Sequence, residues 1–154
     1  MKKPAFTLIE IMVSVAIMLL LTGMAMVTMS GFNNRQKSQG VRSEVRSMLE
    51  LTRNYAQTMQ YPTASTKKPD YYKLSIASNI VTIEAHFDDG SVSPFDKNKK
   101  DFSAEGVVIA GDTTICFKPF EAILSDLCGA VTTKRITFDT YSLEVNTNGQ
   151  ISEL

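Results

Sequence analysis

The chain has 154 residues, with 16 basic and 16 acidic side chains, one histidine, two cysteines, eight methionines and no tryptophan. That length holds one domain plus an anchor. Balanced charge argues against a nucleic-acid surface or an acidic tail, and two cysteines with one distant histidine make a poor zinc set.

The chain opens on a short basic leader, Met1-Lys2-Lys3-Pro4-Ala5, and runs directly into Phe6-Thr7-Leu8-Ile9-Glu10. Residues 6–29 form an apolar run of 24 residues in which Glu10 is the only charge. At about 1.5 Å per residue this is about 36 Å of helix, enough to cross a bilayer with some tilt. Lys2 and Lys3 keep the short end cytoplasmic and put the rest of the chain outside. Cleavage as an ordinary secretory signal fits poorly. Thr22-Gly23-Met24-Ala25 is the nearest small-residue site, and apolar character continues through it. A carboxylate costs about 2.5–3.5 kcal/mol at the centre of a membrane helix and less near its end. A plain anchor has no use for such a group, so Glu10 needs a partner.

No proline interrupts residues 6–60. Near Phe32 the all-round apolar pattern becomes one-sided. Val41, Val45, Met48, Thr52, Tyr55 or Ala56, and Met59 recur at helical spacing, with Arg42, Ser43, Arg46, Glu50, Arg53 and Gln57 on the polar side. The pattern predicts one helix from residue 6 to about 60, weakened at Gly23, Gly31 and Gly40 and closed by Tyr61-Pro62. Its amphipathic half predicts that a fragment starting near Asn33 folds without the anchor.

Beyond Pro62 the character is β. Residues 72–76 and 80–87 alternate and are split by Ala77-Ser78-Asn79. Residues 91–103 read as a polar loop. Residues 107–109 and 114–117 flank Gly111-Asp112 as a hairpin would. Residues 122–125 read as a short strand. Residues 135–138 and 141–145 follow, and Asn148-Gly149 turns the chain into residues 150–152. About seven short strands after one long helix give an α+β fold, with a mainly antiparallel sheet head packed on the amphipathic half of the helix.

The segment Lys2-Lys3-Pro4-Ala5-Phe6-Thr7-Leu8-Ile9-Glu10, continued by Ile11-Met12-Val13-Ser14-Val15-Ala16-Ile17, resembles the class III signal of type IV pilins and type II secretion pseudopilins. The resemblance covers residues 1–30. It implies that a prepilin peptidase removes leader 1–5 between Ala5 and Phe6 and N-methylates Phe6. It implies that Glu10 serves assembly, that 6–30 is a transmembrane and assembly helix, and that 31–154 is an extracytoplasmic pilin-like domain. Such helices bundle as a filament core with the heads outward. The residue before the cut is usually glycine; Ala5 is the next smallest side chain and implies slower processing. Physics points the same way. A new amine at Phe6 pairs with a carboxylate one turn along in another subunit, and a carboxylate suits a helix N-terminus.

Thr114-Ile115-Cys116-Phe117-Lys118-Pro119 and the tail Leu143-Glu144-Val145-Asn146-Thr147-Asn148-Gly149-Gln150-Ile151 are similar to the end of H-type minor pseudopilins and related minor pilins. Cys116 and Cys128 are candidates for a disulfide in an oxidising compartment; buried thiols on neighbouring strands are the alternative. Major pseudopilins bind calcium in a head loop. Here Asp88, Asp89, Asp96 and Asp101 match no defined calcium loop and read as solvated turn residues. Lys97, Lys99 and Lys100, flanked by Asp96 and Asp101, read as a solvated loop and not a DNA contact. His86 reads as structural, and no triad is arguable.

The expectation is therefore a non-enzymatic filament subunit without cofactor, metal or nucleic acid. The first choice is a minor pseudopilin of a type II secretion system. The alternatives are a minor type IV pilin for adhesion, motility or DNA uptake, and an unprocessed single-pass anchored binding domain. The expected partners are other pilin or pseudopilin subunits, prepilin peptidase and the cytoplasmic membrane. The expected location is that membrane, with the head in the periplasm or at the cell surface.

Overall fold

A computed structural model describes residues 7–62, 66–95, 98–111, 114–128, 132–139 and 141–154; the side chains of 24–30 lie outside that set. The chain divides into two compact units, residues 1–36 and 37–154. One helix, α1 (Leu8–Thr58), contributes to both. It runs through Gly23, Gly31 and Gly40 without a break, so those positions are not weak enough to end it.

In the first unit two hydroxyls of the apolar stretch bond back to the helix's own carbonyls. Ser14 donates to the Glu10 carbonyl at 2.7 Å and Thr22 to the Met18 carbonyl at 2.6 Å. Each hydroxyl is thus satisfied without water. Among the described residues no helix is long and apolar enough to cross a membrane. The expected span began at Phe6 and used side chains 24–30, which lie outside the described residues.

In the second unit the apolar stripe of α1 is buried. Val41, Val45, Met48, Thr52 and Ala56 lie in the interior, and Leu49, which the spacing omitted, is fully covered. Tyr55 is only partly buried. The helix ends before Tyr61-Pro62. Met59 takes a left-handed backbone (φ 52), and Gln60 N donates back to the Tyr55 carbonyl at 3.1 Å. This is a Schellman closure on a non-glycine residue.

Among the described residues the head holds nine strands in two antiparallel sheets, not one sheet of about seven. β1 (Tyr71–Ala77), β2 (Ile80–His86), β3 (Val92–Pro94), β4 (Lys100–Asp101) and β6 (Thr114–Phe117) form the first, in order β3-β2-β1-β6 with β4 also on β2. β5 (Ile109–Gly111), β7 (Lys134–Phe138), β8 (Tyr141–Val145) and β9 (Ile151–Glu153) form the second, in order β5-β7-β8-β9. β1 and β2 alternate buried and half-buried. Tyr72, Leu74, Ile76, Val81, Ile83 and Ala85 face the core with Ile136, Phe138, Leu143 and Val145 of the second sheet.

Three readings of the β region change. Gly111 does not turn a hairpin: β5 pairs with β7 and β6 with β1, so the chain crosses from one sheet to the other there. Gly111 has φ 100, and a Cβ on it would strike the Arg135 carbonyl, so only glycine fits the crossing. Segment 91–103 is not all loop, since β3 and β4 both pair with β2. Residues 122–125 supply only a bridge, Phe117 to Leu124, followed by a 3-10 turn at Asp126–Cys128.

Polar contacts fix the helix of this unit on its sheets. Ser38 donates to Asp139, Gln39 to the Tyr141 hydroxyl at 3.0 Å, and Asn98 to the Tyr55 hydroxyl at 2.8 Å. Glu153 of β9 accepts from Arg42 at 2.9 Å and from Arg46 at 2.5 Å.

Candidate assembly site at the helix start

The first turn of α1 follows from the four residues Thr7-Leu8-Ile9-Glu10. A helix start leaves backbone N–H groups without partners. Thr7 and Glu10 supply them reciprocally. Thr7 N donates to Glu10 Oε2 at 2.9 Å, and Glu10 N donates to Thr7 Oγ1 at 3.4 Å. The Thr7 hydroxyl also donates to the same Oε2 at 3.0 Å. This is a capping box. Its signature, Thr-x-x-Glu ahead of an apolar run, is present in the sequence, and Thr7 is the functional residue that the reading by charge cost alone missed.

The carboxylate is therefore not stranded at the head of an apolar helix. Thr7 answers it locally, and the positive end of the helix dipole favours it. All three contacts with Thr7 that involve the carboxylate or hydroxyl leave Oε1 out. Among the described residues that oxygen has no hydrogen-bond partner. Ala5 and Phe6, the expected cut site, lie outside the described residues.

With this turn in view, the comparison with known families is decisive for the N-terminus. Residues 1–26 match the family model described as the prokaryotic N-terminal methylation motif. The chain carries a class III prepilin signal. Such a signal is found on type IV pilin-like and pseudopilin precursors, and it implies processing by prepilin peptidase and assembly with other pilin subunits. No curated protein and no solved structure matches the chain. The prepilin signal fits inner-membrane anchoring and a filament, and the capping box shows how the signal's threonine and glutamate cooperate at the start of the helix.

The other residues singled out from the sequence fall elsewhere, in the second unit. Cys116 of β6 and Cys128 of the 3-10 turn are joined as a disulfide, with Cα atoms 6.0 Å apart. Asp89 pairs with Lys67 and accepts from Ser91 N at 2.9 Å; these bonds hold its carboxyl well below the usual range. Asp101 accepts from Ser103 N at 2.8 Å, and the Ser103 hydroxyl first, then this backbone bond, lower its pKa. Lys100 pairs with Glu44 at 2.6 Å. Asp96 and Lys97 lie outside the described residues. Among the described residues no three acidic, histidine or cysteine side chains gather as a metal site.

His86 stacks on Tyr71 with ring centroids 4.6 Å apart. Its Nδ1 is 3.0 Å from the Tyr71 hydroxyl and its Nε2 is 3.3 Å from Glu84. Burial pushes its pKa down, the Glu84 bond works against that, and Lys73 adds to the fall.

Proposed function

We propose that the chain is a minor pseudopilin of a type II secretion system. It is inserted as a prepilin, cut between Ala5 and Phe6, methylated on Phe6 and polymerised through its N-terminal helix. The observation that supports the assembly role is Glu10 in the first helical turn, held by Thr7 through one oxygen while the other has no partner among the described residues. In the filament the amine of Phe6 from an adjacent subunit takes that second oxygen, across a low dielectric where such a pair counts for more than in water. The helix anchors the chain in the cytoplasmic membrane before assembly, and the head lies outside it. The chain works by position within the filament and performs no catalysis.

The choice of a secretion pseudopilin over a minor pilin rests on the likeness of residues 114–119 and 143–151 to the H-type tail. The second of these runs is β8, its Asn148-Gly149 turn and the entry to β9. Deleting the gene in its own bacterium tests the choice. Loss of protein export across the outer membrane, with twitching and DNA uptake intact, is the expected result. The reverse pattern overturns it in favour of a type IV pilin.

A further inference from the structure

β6 breaks the alternation of the sheet it closes. Ile115 and Phe117 face inward, opposite Leu74 and Tyr72 of β1. Cys116 is paired with Lys73 and therefore lies on the outer face with it. The Lys73 side chain on that face is 26 % exposed, yet Cys116 is only 2 % exposed. What reaches Cys116 is the Asp126–Cys128 turn, whose Cys128 sulfur is bonded to it.

That turn buries none of its own residues, and Leu127 is 54 % exposed. Its ties to other described residues, apart from the sulfur, are slight. Leu127 N donates to Ser125 Oγ at 3.3 Å, and Asp126 faces Lys118 at 3.5 Å in a solvent-exposed pair, which contributes little. The segment just before it is fastened differently. Lys118 N donates to the Ile123 carbonyl, Ser125 N to the Cys116 carbonyl and Leu124 N to the Thr147 carbonyl, while Ala122 and Leu124 are buried. Among the described residues the bond between the cysteines is therefore the main anchor of 126–128, while the sheet beneath has its own ladder of backbone bonds.

We infer that the Asp126–Cys128 turn is a redox latch over β6, opened by attack of a small thiol on Cys128. Cys128 is the partly exposed residue of the pair, and Cys116 is buried. The thiolate of the reagent bonds to Cys128 Sγ. The disulfide breaks, and its electron pair leaves on Cys116 Sγ as a thiolate. A second reagent thiolate then attacks the reagent sulfur on Cys128 and releases the Cys128 thiolate. Overall two reagent thiols are oxidised to one reagent disulfide and the protein disulfide is reduced to two thiols. A lysine beside a leaving thiolate favours its departure, and Lys73, which also pairs with Glu84 at 3.8 Å, stands at the directly opposed position in the ladder. Opened, the turn lifts and the sheet presents the Cys116 thiol beside Lys73, a modification site hidden in the oxidised protein.

The full-length chain in detergent micelles tests this with glutathione as the probe. Brief exposure to limiting glutathione, trapping of free thiols with N-ethylmaleimide and peptide mass spectrometry locate the first adduct. The glutathione adduct is expected on Cys128, with maleimide on Cys116, by about tenfold over the reverse. Equal adducts, or an excess on Cys116, overturn the direction of opening. Hydrogen exchange after full reduction tests the latch itself. Exchange is expected to rise in residues 126–128 and to stay unchanged in 71–86 and 115–125. A rise throughout the head overturns the proposal, because the bond then holds the whole head. No rise at 126–128 overturns it as well.

Discussion

Thr7 and Glu10 bond each other in both directions, backbone to side chain, at 2.9 Å and 3.4 Å. One residue thus caps the helix while the other is the charge proposed above for assembly, and the two roles separate by substitution. Thr7→Ala removes the hydroxyl that both gives to Oε2 and accepts from Glu10 N. It should cost about 1 kcal/mol at the helix start, read as faster amide exchange of residues 8–11 in micelles. Glu10→Gln keeps an acceptor for Thr7 N but loses the charge. It should leave that exchange near the parent's, yet lower filament incorporation as far as Glu10→Ala does. Membrane insertion should survive in both, since an expensive charge has gone. Normal incorporation of either variant would remove the assembly role from Glu10.

Processing follows from the signal at residues 1–26. The mature chain is expected to start at Phe6 with a methylated amine. Intact mass from membrane extracts reads this directly. A mature species that keeps residues 1–5 in cells with active prepilin peptidase would contradict it. Ala5→Gly should speed the cut, seen as less precursor at steady state.

The head should fold from a fragment beginning at Asn33, which contains the whole compact unit 37–154. Within it, Met48→Asp buries an unpaired charge in the core and should cost about 3 kcal/mol or more. Arg46 is not the bare surface position that its place in the helical pattern indicates. It bonds Glu50 at 2.9 Å and Glu153 at 2.5 Å. Arg46→Gln should stay within about 1 kcal/mol, as exposed pairs do. Arg46→Asp should cost clearly more, because it sets a third carboxylate among the first two. Urea midpoints of the three variants rank them; equal values for Met48→Asp and Arg46→Gln would mean that the stripe is not the core face.

His86 gives the head a pH signature. Its folded pKa lies below the ordinary 6.5, chiefly through burial. The unfolded chain therefore binds the proton more readily, and stability falls as pH drops below about 6.5 toward the folded value. The urea midpoint of the fragment should decline over that window, and His86→Gln should flatten the decline. An unchanged slope in His86→Gln would assign the decline to other groups.

Much of this was legible from residue order because single elements obey local rules. β1, β2, β8 and β9 announce themselves by alternation and by turns at Ser78-Asn79 and Asn148-Gly149, and Ser78 and Asn79 do take left-handed backbones (φ 50 and 62). What failed was long-range. Gly111 between two apolar runs looks like a hairpin. Nothing local says that its neighbours belong to different sheets, because the partners β7 and β1 lie far away on opposite sides of it in sequence. β3 and β4 are three and two residues long, too short for a period to register. Leu49 escaped because the stripe was read one residue wide, whereas the helix is flanked by two sheets. Thr7 was visible as a motif letter, but its bond to Glu10 is a capping rule and not a charge rule.

The contacts that seat the second half of α1 have a consequence for how the chain must mature. Ser38 waits for Asp139, 101 residues downstream; Gln39 waits for Tyr141; and Arg46 waits for Glu153, 107 residues downstream. On the topology proposed above, the amphipathic helix emerges during export long before the second sheet, and closing loops of that length is slow. Over that interval Val41, Val45 and Leu49 present an open apolar seam to whatever else crosses the membrane. The head's vulnerable period is thus set by the travel time of about a hundred residues rather than by the stability of the finished fold, and a periplasmic holding factor would act on the helix and not on the strands.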